Sequence, residues 1–307
     1  MSARKIFMEM SSWSQLFFLW LFFVIGLIVA GVLSVVVAFF FIEGNAMPDI
    51  ASLLAESTDY LRISQFIQQV FLFFVPACLC AFLFHRSTAN YLKTNKFPSF
   101  ILLLAGIILI LVIQPLISYT GYYNEQMVLP EWMSGIEAWM KDTERNAEML
   151  TKQLLAGSSL KVLLLNLFVM AVAAAVVEEF FFRGVLQQII QKITRNYHWA
   201  VWLVALIFSA VHLQFYGFVP RLLLGALLGY LFVFSGSLWL PVLVHFINNA
   251  AGVLLYYFYH DTPQYETIES LGAADIQWTA LPSLALTAAL LYFLSRDYLH
   301  RHKNEYF

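Results

Sequence analysis

The stretch from Val162 to Ile190, VLLLNLFVMAVAAAVVEEFFFRGVLQQII, decides how the rest of the chain must be read. It is long enough to cross a bilayer as a helix, because about 20 residues rising 1.5 Å each cover the hydrocarbon core. Yet it carries Glu178, Glu179 and Arg183 in its middle. An ionised side chain at the centre of a membrane helix costs about 2.5 kcal/mol or more, so such groups persist only when they pair or face a polar cavity.

Working outward, similar runs flank it: Met10 to Ile42, Phe66 to Phe84 and Pro98 to Tyr119 before, then Trp199 to Phe215, Leu222 to Phe234, Leu238 to Phe258 and Trp278 to Leu294 after. Pro220 and Arg221 stand at the entrance of the Leu222 run, the shortest of the eight. The composition agrees, since 61% of the 307 residues are hydrophobic and only 12% are charged, against about a quarter charged in soluble proteins. A net charge of −2 with no basic block excludes a nucleic-acid binder. The runs are about twice as long as a barrel strand and do not alternate, which excludes a membrane β-barrel. The fold class expected is all-α: a polytopic bundle of about eight transmembrane helices forming one integral membrane domain over residues 1–307.

Loop charges orient it, because Lys and Arg accumulate on the cytoplasmic side. Arg4 and Lys5, then Arg86, Lys93 and Lys96, then Lys192 and Arg195, then Arg296, Arg301 and Lys303 alternate with acidic segments. Those segments hold Glu43, Asp49, Glu56 and Asp59; Glu125 to Glu148; and Asp261, Glu266, Glu269 and Asp275. The pattern predicts a multi-pass protein of a cell membrane, of the bacterial inner-membrane kind, with both termini cytoplasmic. The first run is too long for a signal peptide and lacks a small-x-small cleavage site, so it is expected to stay as a helix. Cys78 and Cys80 point apart on a helix and read as packing residues. Residues 121–159 form an extracytoplasmic loop in which Trp132, Ile136, Trp139 and Met140 recur at helical spacing among charges. An amphipathic helix, lying on the outer leaflet or within an ordinary loop, fits that pattern.

The remaining polar groups inside the spans concentrate in three helices. Glu179 and Arg183 are four apart and share a face, where they can form an ion pair that fixes packing. Glu178 is turned about 100° away and is free to face something else. Phe208 and His212 are also four apart, as are His245 and Asn249. Depth favours a common level: at 1.5 Å per residue, His212 lies about 18–20 Å in and His245 to Asn249 about 10–17 Å in. Glu178 joins them at about 18 Å if the helix runs on through Leu186–Ile190. Phe180, Phe181 and Phe182 are expected to face neighbouring helices and lipid. Gly225 and Gly229 form a small-xxx-small packing pair, and His85, His198, His260, His300 and His302 fall at span edges or tails.

This set of groups suits hydrolysis of an amide. A carboxylate in a low-dielectric site can act as a general base on water, with a neutral His beside it, and a second His with an Asn amide can stabilise an oxyanion. Two His and a carboxylate also match a catalytic zinc site, so Glu178, His212 and His245 could instead hold one divalent metal, zinc foremost, and the residue types leave both open. No Gly-x-Ser-x-Gly elbow and no His-Glu-x-x-His are present. Buried Glu, Arg and His also make proton relays, so a proton-coupled carrier is a second class to weigh, although no repeated half with broken helices is visible. A non-proteolytic scaffold or bacteriocin-immunity protein is a third.

Glu-Glu-x-x-x-Arg (Glu178, Glu179, Arg183), Phe-x-x-x-His (Phe208, His212) and His-x-x-x-Asn (His245, Asn249) occur in that order on successive apolar segments. In this the chain resembles the CPBP family of CAAX proteases and bacteriocin-processing enzymes, also called Abi or type II CAAX prenyl endopeptidases. The resemblance covers roughly Lys161 to Phe258, the expected catalytic core. It implies an intramembrane endopeptidase acting on a membrane-associated or lipid-anchored peptide, with Glu178 activating water beside His212 and with His245 and Asn249 holding the oxyanion. Glu179, Arg183 and Phe208 would then support them. The family is described both as metallo and as metal-free, so the resemblance implies either no cofactor or one metal.

Overall fold

In a computed structural model, residues 3–42, 49–262 and 277–301 are described. Glu43, Glu266, Glu269, Asp275, Lys303 and His302 lie outside them. Every regular element among the described residues is helical. In chain order the principal helices are α1 (Ser12–Ala38), α2 (Thr58–Phe84), α3 (Phe100–Glu125), α4 (Ser134–Leu155), α5 (Leu160–Thr194), α6 (Tyr197–Ala210), α7 (Phe218–Ser235), α8 (Trp239–Tyr259) and α9 (Gln277–Arg301). Seven of these, all but α4 and α6, are long and apolar enough to cross a membrane. The fold is a polytopic all-α bundle.

Local sequence explains where several helices begin. Ser11, Ser57, Ser99, Ser159 and Asn196 each precede a helix in extended backbone and accept a hydrogen bond from an amide of its first turn. α1 presents Phe17, Val24, Ile28 and Val32 outward and is largely unburied, as suits a helix facing lipid. It contacts α2 closely at Gly26, where a Cβ would collide with the carbonyl oxygen of Phe71. That carbonyl lies in a π-helical stretch, Val70–Phe74, just ahead of Pro76. A proline ring clashes with the carbonyl four residues back, and a widened turn gives it room.

α5 is the centre of the bundle. It spans 35 residues, and every residue from Glu179 to Gln187 is buried. This corrects the expectation that Phe180, Phe181 and Phe182 face lipid in part. Phe181 packs against Trp20, Phe23 and Phe73, while Phe182 meets Phe208 edge-on with ring centres 5.0 Å apart. The helix continues unbroken past Leu186–Ile190, as the depth argument required. It is not regular: π-helical stretches at Leu167–Ala173 and Phe182–Gln187 bracket an α-helical segment, Ala174–Phe181, that holds both glutamates.

α6 and α7 pack through small residues. A Cβ on Gly225 would lie 3.2 Å from the Ala205 Cα, and one on Gly229 would lie 3.0 Å from Val201. The same glycines expose backbone carbonyls to α5, where Arg183 donates to Gly225 and Gln187 to Gly229. Buried Arg62 of α2 plays a similar joining part. It donates to the Asn166 side chain of α5 and to the carbonyls of Leu154 and Ala156 at the end of α4. Cys78 and Cys80 are free thiols, Cys80 fully buried.

Candidate active site

The two glutamates of α5 face different surroundings. Glu179 is fully buried, and its Oε1 accepts from Arg183 at 2.7 Å and from His245 Nδ1 at 2.9 Å. Arg183 is equally buried, with its guanidinium over the Phe208 ring at 4.9 Å. Arg183 therefore ties α5, α6 and α7 together, and Glu179 carries the tie on to α8. Glu178 opens instead into a cavity of about 360 Å³, which His212, His245, Asn248 and Asn249 also line. Its Oε2 lies 3.8 Å from His245 Nε2, and no hydrogen bond to it occurs among the described residues.

The two imidazoles are set by what their Nδ1 atoms touch. His212 Nδ1 is 2.7 Å from the Phe208 carbonyl. A carbonyl can only accept, so the proton sits on Nδ1 and the neutral ring presents a lone pair at Nε2. His245 Nδ1 faces a carboxylate in the same way, so its Nε2 is an acceptor in the neutral ring and becomes a donor only as imidazolium. The Asn249 amide donates one N–H to the Met170 carbonyl at 3.1 Å, leaving its second N–H uncommitted. Asn248 donates to the Asn249 oxygen and receives from Gln114 of α3, which makes a chain of amides along the cavity.

His212 is not on a helix. The run expected to continue to Phe215 stops at Ala210, and α6 has only 14 residues. The following turn is held from outside its own sequence. Asn124 of α3 donates to the Phe215 carbonyl and accepts from the Val219 amide. Ser209 donates to the Phe218 carbonyl, and Glu144 of α4 accepts from the Tyr216 amide. These clamps hold Leu213 at a φ of 54°, a region that non-glycine residues seldom enter. The Phe208 and His212 rings still meet, edge to face with centres 5.0 Å apart.

A second cavity of about 670 Å³ opens on the other side of the same residues, sharing Glu178, His212, Asn248 and Asn249 with the first. Its far walls come from Gln65 and Gln69 of α2, Leu150 and Leu154 of α4, and Tyr256 of α8. The amphipathic helix is thus α4, and Trp139 packs against Phe215 in the turn after His212. Trp132 is exposed. Sequence reasoning missed Asn248, Gln114 and Arg221. The first two look like ordinary amides in apolar runs, whereas Arg221 was visible as a charge and was read only as the edge of a span.

No three His, Cys, Asp or Glu side chains among the described residues are grouped so as to hold a metal ion. The Nδ1 atoms of both histidines are committed to protein oxygens. That commitment leaves each Nε2 free, as in a metal-bound imidazole, but Glu178, His212 and His245 are not grouped closely enough here to hold one ion, and no step below runs through a metal.

Fold and site together define a polytopic helical membrane protein in which Glu178, His212 and His245 converge on one chamber of about 360 Å³ between α5, α8 and the turn after α6. A family model described as "Type II CAAX prenyl endopeptidase Rce1-like" matches residues 160–251. That stretch contains all three motifs, and over it the chain is similar to the CAAX protease family. Neither the curated proteins nor the solved structures give a match.

Proposed function

We propose that the chain is an intramembrane endopeptidase that hydrolyses a peptide bond in a membrane-associated or lipid-anchored peptide, in a cell membrane with both of its termini cytoplasmic. The observation that carries this is the convergence of Glu178, His212, His245 and Asn249 on one cavity although they come from three separate motifs. A water between Glu178 and His212 Nε2 gives one proton to the Glu178 carboxylate while its oxygen attacks the scissile carbonyl carbon. The C=O π electrons move to oxygen. The second N–H of Asn249 and the Nε2–H of a protonated His245 stabilise that oxyanion. Collapse of the tetrahedral species breaks the C–N bond, and Glu178 returns its proton to the leaving amine. Glu179 keeps His245 in the orientation this needs and offsets the charge of its imidazolium.

The test uses the full chain in liposomes with a pool of N-terminally acylated peptides of randomised sequence, products being read by mass spectrometry. Glu178→Ala, His212→Ala and His245→Ala are each expected to lower cleavage by about 100- to 10,000-fold, the range for a lost general base. Unchanged cleavage in all three would sink the reading, and proton flux without any cleavage would favour a carrier.

A further inference from the structure

We propose that the basic cavity at the end of the bundle where α3 and α8 begin and α7 ends holds the phosphate headgroup of an anionic phospholipid between Lys93 and Lys96. The cavity measures about 600 Å³ and shares no lining residue with either cavity at Glu178. The inference is independent of the peptidase reading.

The loop between α2 and α3 supplies both lysines, and its backbone is pinned to the start of α8 at three points. The Leu238 amide donates to the Lys93 carbonyl at 3.1 Å, the Trp239 indole to the Thr94 carbonyl at 2.9 Å and the Ser237 hydroxyl to the Lys96 carbonyl at 2.5 Å. Lys93 is held at a φ of 55°, where few non-glycine residues lie. Its side chain is half-buried, with Nζ 4.6 Å from the centre of the Phe232 ring. Orienting a membrane protein requires only that lysines lie in the loop. It does not require one to be folded over a phenylalanine beside a cavity.

No carboxylate among the described residues comes within 4.0 Å of either ammonium. The Phe232 ring gives Lys93 a cation–π contact, which brings no counter-charge. Burial, with the charge of Lys96 added to it, pushes the Lys93 pKa down from its ordinary value. Two like charges at one cavity favour an anion between them.

The lining points to a lipid as the source of that anion. Ser99, Gln191 and Ser235 add neutral polar groups beside the lysines, whereas Phe97, Leu102, Val233 and Phe234 form an apolar wall. Phe97 is 80% exposed and stacks on Trp239, with ring centres 5.7 Å apart. A tryptophan at the end of a span suits the level of the lipid headgroups. A soluble anion would use only the polar half of such a cavity. A phospholipid uses both halves, its phosphate at the lysines and the root of its acyl chains against the apolar wall. A zwitterionic lipid carries a cation of its own, so the pair of lysines selects an anionic one.

Native mass spectrometry of the full-length protein in detergent, titrated with phosphatidylglycerol or phosphatidylcholine of matched chains, tests this. The wild type is expected to hold one phosphatidylglycerol about 30-fold more tightly than phosphatidylcholine, at about fivefold for each lysine. Lys93→Gln with Lys96→Gln is expected to bring that ratio near one, and Lys93→Arg with Lys96→Arg to keep it. Lys96→Gln alone, a change at an exposed side chain, is expected to leave about fivefold. A wild-type ratio near one, or a ratio that the double glutamine variant leaves unchanged, overturns the proposal. An equal fall in Lys141→Gln with Lys152→Gln, on α4, also overturns it, because the preference is then a general attraction to positive charge. A final arm adds millimolar inorganic phosphate. Retention of the bound phosphatidylglycerol supports the lipid, and its displacement assigns the site to a soluble anion and overturns the lipid assignment.

Discussion

Glu178 and Glu179 are adjacent in α5, yet one faces two cavities and the other a sealed interior. The side chain of Glu179 is 0% exposed and has an arginine and a histidine on one oxygen, while that of Glu178 is 13% exposed and, among the described residues, has His245 Nε2 as its one basic nitrogen within 4.0 Å. A turn of about 100° along the helix separates the two environments. Burial with an arginine and a histidine on one oxygen makes a carboxylate a structural joint, although Glu179 Oε2 is itself buried without a hydrogen-bond partner among the described residues. Partial burial without pairing leaves its lone pairs for chemistry. Residue type therefore decides little here, and the face of the helix decides most.

Exchanging the two losses breaks this contrast most severely. Glu179→Gln leaves Arg183 as an uncompensated buried charge, a loss of about 3–5 kcal/mol. Thermal unfolding in detergent is expected to show a large drop, whereas Glu178→Gln is expected to leave the unfolding temperature near that of wild type. Equal destabilisation by both would erase the distinction. Adding Arg183→Met to Glu179→Gln sharpens it: stability should largely return because no lone charge remains, but cleavage should stay low because a neutral amide no longer offsets the charge of the His245 imidazolium. Next in size is Asn249→Ala, which removes one proposed oxyanion donor and is expected to lower kcat about 100- to 1,000-fold with little change in KM. The smallest effect is expected for Asn124→Ala. It removes two hydrogen bonds to the turn after His212, each worth about 1 kcal/mol, and should lower kcat several-fold while leaving the bundle folded. An unchanged kcat would mean that Ser209 and Glu144 hold the turn by themselves.

Much of this was legible from the chain alone. The apolar runs gave the helical bundle, and the spacing of Glu179 and Arg183 gave their ion pair, because contacts four residues apart follow from one helix without its neighbours. The same holds for the pairing of Phe208 with His212, which survives although His212 lies in a turn. What was not legible depends on other elements. Nothing in the Trp199–Phe215 run marks a stop at Ala210; the clamps that end it come from Asn124 and Glu144, far off in sequence. The π-helical stretches of α5 carry no mark in the sequence, and that Arg183 and Gln187 reach carbonyls of α7 depends on where α7 packs. Phe180, Phe181 and Phe182 look like lipid-facing residues until α1 and α2 are known to cover them.

The shortness of α6 carries a consequence for the surrounding lipid. Fourteen residues rise only about 21 Å, against a hydrocarbon layer of about 30 Å. Where α6 stops, the backbone turns, tied down by protein hydrogen bonds. A bilayer meeting that face must thin or dimple by up to about 9 Å to avoid the mismatch. The dimple would lie over His212 and let water reach a chamber that an unperturbed membrane would keep dry.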